Sequence, residues 1–217
     1  MAEKVNQTVA ESGAQLIGRL SSGPSLLHLD DMLFPEGPKP KDVIQISGEA
    51  SVGKTLLLLK FLTKCLLPQK YERLELGGLN AGVVLIDTDH NLSILKLVSL
   101  MEEFINNAKN SDPVYKKMKV GDVEKIIKYS LANLIILKTY SSEQLEMNLY
   151  SLKRLLSNKN NISLLVIDSL TAYYWSDTMN LKSRKRMDKY LKDMVEKLRK
   201  YVHDYNIVTI FVKQGNS

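Results

Sequence analysis

The most specific chemical signature of the chain lies at residues 48–55. These residues fit the pattern G-x-x-x-x-G-K-[ST], in which backbone N–H groups wrap around a phosphate. Lys54 would reach the β- and γ-phosphates of a nucleoside triphosphate, and the Thr55 hydroxyl would hold Mg²⁺. The other residues that would contact the cofactor are Gly48, Glu49, Ala50, Ser51, Val52 and Gly53. The motif therefore predicts a site for a nucleoside triphosphate and Mg²⁺, with a chance match in a glycine-containing turn as the alternative.

The residues on either side of this loop have the character that phosphate binding requires. Residues 43–47 form a short β-branched stretch, which is typical of a buried strand. Residues 56–67 are rich in leucine and end before Pro68, which indicates a helix. Because the N-terminus of that helix would face the loop, its partial positive charge would add to the attraction for phosphate.

Polar residues that suit metal and water chemistry follow three other apolar stretches. Asp168 ends the stretch 162–168, and its carboxylate would hold the Mg²⁺ through water, unless it only caps a turn. Asp87 and Asp89 follow another and are suited to orient an attacking water or, alternatively, to form a turn. Gln214 follows the last stretch, where it would sense the γ-phosphate or simply be a polar residue after a strand.

Apolar strands alternate with helices along the chain, and this order predicts how these residues are positioned. The predicted strands are 43–47, 83–87, 134–137, 162–168 and 207–212, and the predicted helices are 56–67, 91–105, 122–131, 142–156 (capped at Ser141) and 187–203. Such alternation is typical of an α/β fold with a mostly parallel sheet and helices on both faces. Because ligands bind at the carboxyl ends of such strands, the phosphate loop and the acidic residues are expected to converge there.

Composition limits the class of protein further. With 217 residues, 44% of them hydrophobic and 25% charged, the chain has the composition of a globular domain with its own core. The single cysteine, Cys65, excludes an intramolecular disulfide and a cysteine-based metal site. No apolar run is long enough to span a bilayer, so we expect no membrane partner. The net charge of +6 favours an anionic partner, although only weakly.

Together these motifs resemble the RecA family of recombinases over nearly the whole chain from Ser22 onwards. The resemblance is carried by Ser22, Gly23, Leu29, Asp30, residues 42–44 leading into 48–55, residues 86–89 and 165–169, and Gln214. It implies a RecA-like P-loop ATPase core over residues 22–217, preceded by a polar tail with a short helix over residues 1–21. Within that core, residues 69–80 are interpreted as a connector and residues 106–121 as an insertion-like loop.

Within this family the chain is most similar to a recombinase paralogue of the X-ray-repair cross-complementing type. That resemblance rests on residues 11–13, 86–89, 126–129 and 168–175. It implies that the cofactors are ATP and Mg²⁺, that Asp89 and Gln214 occupy catalytic positions, and that Asp168 belongs to the magnesium-binding strand. It also implies a nuclear protein that works in a hetero-oligomer of recombinase paralogues and assists homologous recombination and double-strand-break repair.

The sequence departs from the family pattern in three respects. Asp89 stands where the family has a longer glutamate, so we expect weak hydrolysis or none, at most that of a slow, DNA-associated ATPase. No helical DNA-binding domain precedes the core and no Phe-x-x-Ala tether occurs, which predicts a position at an end of the hetero-oligomer. The chain stops at Ser217, where the second DNA-binding loop of the family would begin, so we expect a core that is C-terminally truncated or, alternatively, a protein that does without that loop.

Contact with DNA is therefore expected at residues 176–186, the position of the first DNA-binding loop in the family. The basic residues clustered there are Lys182, Arg184, Lys185 and Arg186. Such a cluster suits salt-sensitive contact with the phosphates of single-stranded or branched DNA, with a solvated helix start as the alternative. Tyr173, Tyr174 and Trp175, just before this stretch, would either stack on bases or pack against the core.

Two other functions are compatible with the phosphate loop. A P-loop phosphotransferase acting on a small molecule would need an acceptor site and an arginine-rich lid, and no arginine cluster of that kind follows residues 48–55. A scaffold with a vestigial nucleotide site would keep the loop but retain no nucleotide after purification. Nucleotide retention therefore separates the expected ATP-binding subunit from a scaffold.

Overall fold

Five parallel strands form the central sheet of the protein. The computed structural model describes residues 23–111, 119–159, 161–179 and 186–214, with Gln214 described by its backbone alone. The strands are β1 (Val43–Gly48), β2 (Lys70–Tyr71), β3 (Leu74–Glu75), β4 (Gly82–Asp87), β5 (Leu134–Lys138), β6 (Ile162–Asp168) and β7 (Val208–Gln214). The central sheet has the order β1-β7-β6-β4-β5, and its neighbouring strands are all parallel. Strands β2 and β3 form a separate antiparallel pair.

Helices cover both faces of this sheet. In the described residues they are α1 (Lys54–Leu66), α2 (Ile94–Ser111), α3 (Val120–Leu131), α4 (Ser142–Asn158), α5 (Tyr174–Met179) and α6 (Met187–Val202). Because side chains alternate along a strand, Val83 and Leu85 of β4 lie in one buried cluster with residues of α1, α2 and α3. Val84 and Ile86 lie in a second cluster with residues of α4, α5 and α6. The predicted α/β fold, a parallel sheet with helices on both faces, is confirmed.

The two middle strands explain why acidic residues meet at the carboxyl ends of the strands. Every residue of β4 and of β6 is buried, as expected for strands that are covered on both faces. The register places Asp87 opposite Asp168, so the last residues of the two strands are neighbours. At the other side of the sheet, the pairing of β1 with β7 places Gly48 opposite Gln214.

Helix α4 shows how local sequence sets a helix boundary. Ser141 precedes the helix with extended backbone, and its hydroxyl oxygen accepts a hydrogen bond from the Gln144 N–H at 3.3 Å. The predicted cap is therefore confirmed. Leu145, Leu149 and Leu152 are buried at helical spacing, so this face of α4 packs against the sheet.

The prediction of a loop over residues 106–121 is wrong at both ends. Helix α2 continues to Ser111, and α3 already begins at Val120. The polar residues Asn106 and Asn107 are exposed, while Ala108 packs against the same buried cluster as Ile105. The apolar face of α2 therefore continues beyond the point where the sequence becomes mostly polar.

The short hairpin of β2 and β3 is a second difference, because it lies within the stretch interpreted as a connector. Leu74 and Leu76 are buried, and an ion pair joins Lys70 to Glu75 across the two strands. The two apolar anchors fix the hairpin against the core formed by α1 and α2. The sequence signal was weak since each strand has only two residues.

Helix α5 occupies the first residues of the expected DNA-binding loop. Residues 176–179 are helical, and Tyr174 at the start of α5 is buried, with its ring edge-on to that of Tyr190. Trp175 is 58% exposed.

Among the described helices, none is both long and apolar enough to cross a bilayer. The predicted tail and short helix over residues 1–21 lie outside the described residues.

Candidate nucleotide-binding site

The loop between β1 and α1 turns back on itself through two positions with left-handed backbone. These are Ser51, with φ 63°, and Gly53, with φ 96°. Glycine adopts such a φ without the steric cost that a Cβ imposes. At Gly48, a Cβ would come within 3.0 Å of Val52 Cγ2, so the loop closes tightly. The first N–H groups of a helix have no partner inside the helix, and at α1 they lie directly after this loop, where an anion can accept from them.

The Lys54 ammonium lies over the loop to which it belongs. Its Nζ donates to the carbonyl oxygen of Gly48 at 2.9 Å and to that of Glu49 at 2.6 Å. The side chain is half-buried, so part of its hydration is replaced by these two contacts. A triphosphate entering the loop would meet a positive charge that is already held in position.

A hydrogen bond joins α1 to the end of β6. Thr55 Oγ1 donates to Asp168 Oδ2 at 3.2 Å, although the two residues are 113 positions apart in the sequence. Magnesium is typically held by one or two protein oxygens, together with substrate phosphates and water. The hydroxyl and the carboxylate therefore form a donor set that fits Mg²⁺. Within the described residues, no group of three or more His, Cys, Asp and Glu side chains is arranged to hold a metal ion.

Further hydrogen bonds tie the end of β4 to the end of β6. The N–H groups of Thr88 and Asp89 both donate to the carbonyl oxygen of Asp168, at 2.9 and 3.1 Å. The Thr88 hydroxyl accepts from the Ser169 N–H at 2.6 Å and donates to the Ser169 carbonyl at 2.8 Å. These bonds hold the backbone of Asp89 beside Asp168, at the carboxyl ends of the strands, where the phosphate loop also lies.

The carboxylates of Asp87, Asp89 and Asp168 lie together at the ends of the strands, and the arrangement raises the pKa of Asp87 and Asp168. Burial, and then the negative charge of Asp89, raises the pKa of Asp168 to about 6. The hydrogen bond from Thr55 and the charge of Lys54 lower it, but by less. Burial also raises the pKa of Asp87, against a backbone N–H that donates to its carboxylate at 2.9 Å. A bound cation would favour the ionised form of these groups, so the cluster suits a positively charged ligand.

Tyr173 and Thr139 also lie at the carboxyl ends of the strands, and their contacts there were not predicted from the sequence. The Tyr173 hydroxyl donates to the Thr139 carbonyl at 2.6 Å, and the Thr139 N–H donates to the Asp87 carbonyl at 3.0 Å. Burial and the charges of Asp89 and Asp87 raise the pKa of Tyr173 to about 12, so the hydroxyl keeps its proton. The sequence offered no signal that singles out Tyr173, since Thr171 and Tyr174 beside it also carry hydroxyl groups.

The structure brings the phosphate loop and the predicted acidic residues together at the carboxyl ends of the strands. Gln214 lies at the same end through its backbone, which pairs with that of Gly48. Of the basic cluster, Arg186 is exposed immediately before α6. Lys182, Arg184 and Lys185 lie outside the described residues. The role of each of these residues stays a prediction.

Comparisons with known proteins give consistent matches. The sequence matches the Rad51 family over residues 17–217. The DNA repair protein XRCC2 of Mus musculus is 30% identical over 209 residues, which cover 95% of this chain and 68% of that protein. The DNA repair protein XRCC2 homolog of Arabidopsis thaliana is 22% identical over 79% of this chain and 54% of its own length. The DNA repair protein RAD57 of Saccharomyces cerevisiae is 27% identical over 89% of this chain and 39% of its own length. The chain therefore spans about two thirds of the mouse relative and about half or less of the other two.

Proposed function

This chain belongs to the Rad51 family, as its resemblance to RecA-type recombinases predicted, and we propose that it is an ATP-binding, weakly or non-hydrolysing subunit of a recombinase-paralogue complex. The complex would assist homologous recombination and double-strand-break repair in the nucleus, in line with relatives named DNA repair proteins. The observation that carries the proposal is the contact of Thr55 with Asp168, because it places a carboxylate beside the phosphate loop. The ATPase core would extend over residues 22–217.

The residues of the loop would divide the binding of ATP and Mg²⁺ among them. Backbone N–H groups of the loop and of the first turn of α1 would donate to phosphate oxygens. Lys54 would give up its contacts with two loop carbonyls and donate to the β- and γ-phosphates. Thr55 and Asp168 would hold the metal, Asp168 through water. When bound, Mg²⁺ neutralises phosphate charge.

Hydrolysis would depend on Asp89 and Gln214. The N–H of Asp89 is bound to the Asp168 carbonyl, which supports the proposal that its backbone keeps one position. Its side chain is one methylene shorter than glutamate, so its carboxylate ends about 1.5 Å short of where a glutamate carboxylate would reach. Orientation of an attacking water depends on such distances, so the reaction would be slow. Gln214, beside Gly48, would sense the γ-phosphate.

We expect the substitution Asp89→Glu to raise the ATP turnover of the complex about 10-fold, since positioning limits a carboxylate that only orients water. Asp89→Ala should abolish turnover and leave nucleotide binding intact. Phosphate release by the purified complex, measured with each variant at equal nucleotide occupancy, tests this. If Asp89→Glu leaves turnover unchanged while Asp89→Ala abolishes it, the proposed geometric defect is wrong.

The edge of the central sheet supports a role in assembly. Strand β5 lies at this edge, and among the described residues only β4 pairs with it. Its apolar residues, Leu134, Ile135, Ile136 and Leu137, are all half-buried. An edge strand of this kind can accept a strand from another chain. We propose that this chain lies at an end of the hetero-oligomer and receives the N-terminal linker of a neighbouring paralogue.

The assembly proposal predicts that a linker peptide from the partner paralogue co-purifies with this chain without the ATPase core of that partner. Backbone hydrogen bonds to β5 would contribute to the affinity, so a linker with one central proline, which lacks the N–H, should bind at least 10-fold more weakly. Isothermal titration calorimetry with the two peptides measures the difference. Binding of the partner core without its linker would show that the end position is wrong.

Phosphates of single-stranded or branched DNA are the proposed ligands of Lys182, Arg184, Lys185 and Arg186 within the complex. Replacing all four with alanine should lower the slope of log K against log[salt] by roughly 0.7 for each lost contact with single-stranded DNA. Fluorescence anisotropy over a range of NaCl concentrations measures this slope.

The matched control removes the same charge from the exposed side of α6, at Lys189, Lys192, Arg199 and Lys200. The complex with this control variant should keep the slope of the wild type. If the cluster variant also keeps it, the cluster is only a solvated helix start.

A further inference from the structure

A groove runs between α4 and α6, on the sheet face opposite α1. Two adjoining cavities form it, of about 280 Å³ and about 450 Å³, and Glu143 and Glu146 of α4 line both. Leu149 and Met194, which belong to the buried cluster on this face, lie at its base. The groove is separate from the phosphate loop, and none of the proposed nucleotide contacts uses it.

One half of the groove exposes large apolar side chains. Met147 is 70% exposed and Tyr150 is 71% exposed, and both line the same cavity. Tyr201 of α6 lines it as well, with its ring edge-on to that of Tyr150 at a centroid distance of 6.4 Å. A methionine and an aromatic ring that share one concave surface have the composition of the anchor region of a protein interface.

The rim of the groove is acidic although the chain as a whole is basic. Of the residues that the structure describes, the carboxylates that line it are Glu143, Glu146, Asp177 and Asp193, and the cation that lines it is Lys197. The Lys197 ammonium already lies 3.2 Å from a Glu146 oxygen. Counting the described residues alone, four carboxylates against one ammonium make this surface negative on a protein whose formal net charge is +6. Such a surface repels nucleic acid phosphates and anionic lipid, and attracts lysine and arginine side chains.

We propose that this groove docks a basic segment of a partner protein, with an apolar side chain seated against Met147 and Tyr150. Lysine or arginine residues that flank the anchor would then lie within reach of Glu143 and Glu146. The apolar anchor supplies most of the binding free energy, while the rim selects positive charge and excludes acidic sequences. The surface is distinct from the sheet edge at β5, so the partner that uses it can bind at the same time as a strand added there.

The probe for the test is a labelled 14-residue amphipathic peptide of leucine and lysine, with a leucine–glutamate peptide of the same pattern for comparison. The lysine peptide should bind the chain, or its complex, more tightly than the glutamate peptide. Glu143→Lys with Glu146→Lys should weaken lysine-peptide binding at least 10-fold, and so should Met147→Ser with Tyr150→Ser. Fluorescence anisotropy measures both effects.

Matched controls make the same changes on exposed residues elsewhere. Glu102→Lys with Glu103→Lys on α2 repeats the charge reversal, and Leu95→Ser with Tyr129→Ser repeats the apolar loss. Both controls should bind the lysine peptide within about 2-fold of the wild type. Equal weakening in groove and control variants would overturn the proposal, as would a preference for the glutamate peptide. Self-association that Met147→Ser with Tyr150→Ser abolishes, seen by analytical ultracentrifugation, would also overturn it by assigning the groove to a second copy.

Discussion

Replacing Lys54 with alanine is expected to weaken ATP binding about 10- to 150-fold, equivalent to about 1.5–3 kcal/mol. The loop carbonyls of Gly48 and Glu49 hold the Lys54 ammonium over the loop, at 2.9 and 2.6 Å. A phosphate that replaces these carbonyls gains a charge-assisted hydrogen bond with little rearrangement of the side chain. Alanine removes that contact, together with the two hydrogen bonds from Nζ to the loop carbonyls.

Titration with a fluorescent ATP analogue in the presence of Mg²⁺ measures the effect. Lys60→Ala is a matched control, because Lys60 is an exposed lysine on the same helix, α1. It should bind the analogue as the wild type does. Equal affinities of wild type and Lys54→Ala would mean that the loop is vestigial and that the protein is a scaffold. The nucleotide content of the purified wild-type chain provides an independent measurement of the same point.

The substitution Asp168→Asn is expected to stabilise the nucleotide-free protein at pH 7 while it weakens Mg²⁺-dependent nucleotide binding. Burial and the charge of Asp89 raise the pKa of Asp168 to about 6, from 3.8 for an unperturbed aspartate. The folded protein therefore binds this proton more tightly than the unfolded chain does. The contribution of Asp168 to the free energy of unfolding therefore falls as the pH rises from about 4 to about 6, by up to about 3 kcal/mol in total. Asparagine has no charge to bury, and its side-chain oxygen can still accept from Thr55.

Urea unfolding of the wild type and Asp168→Asn without nucleotide measures this difference. The advantage of the variant should be largest at pH 7 and should disappear near pH 4, where Asp168 is mostly protonated. Addition of ATP and Mg²⁺ should stabilise the wild type more than the variant, because the cation favours the ionised carboxylate. A variant that is less stable than the wild type at pH 7 would contradict the proposed electrostatic cost.

Much of the fold could be predicted from local sequence. Strands β4 and β6 are uninterrupted apolar runs, α4 begins after a serine cap, and the phosphate loop has glycine at one of its two left-handed positions, Gly53. These signals are local because they depend on side-chain periodicity, on caps and on the conformations that glycine allows. The same reasoning was wrong where periodicity weakened, as at the end of α2, whose last turns are held by the contact of Ala108 with the core.

Only the tertiary structure decided which of these residues meet. The order β7-β6-β4 makes Asp168 the neighbour of Asp87, and packing of α1 beside β6 brings Thr55 to Asp168 across 113 residues of sequence. Periodicity tells which face of an element is apolar, but it does not tell which other element covers that face. The raised pKa of Asp168 has the same origin, since desolvation depends on everything packed around a group. The acidic groove between α4 and α6 likewise exists only because two helices from distant parts of the chain lie side by side.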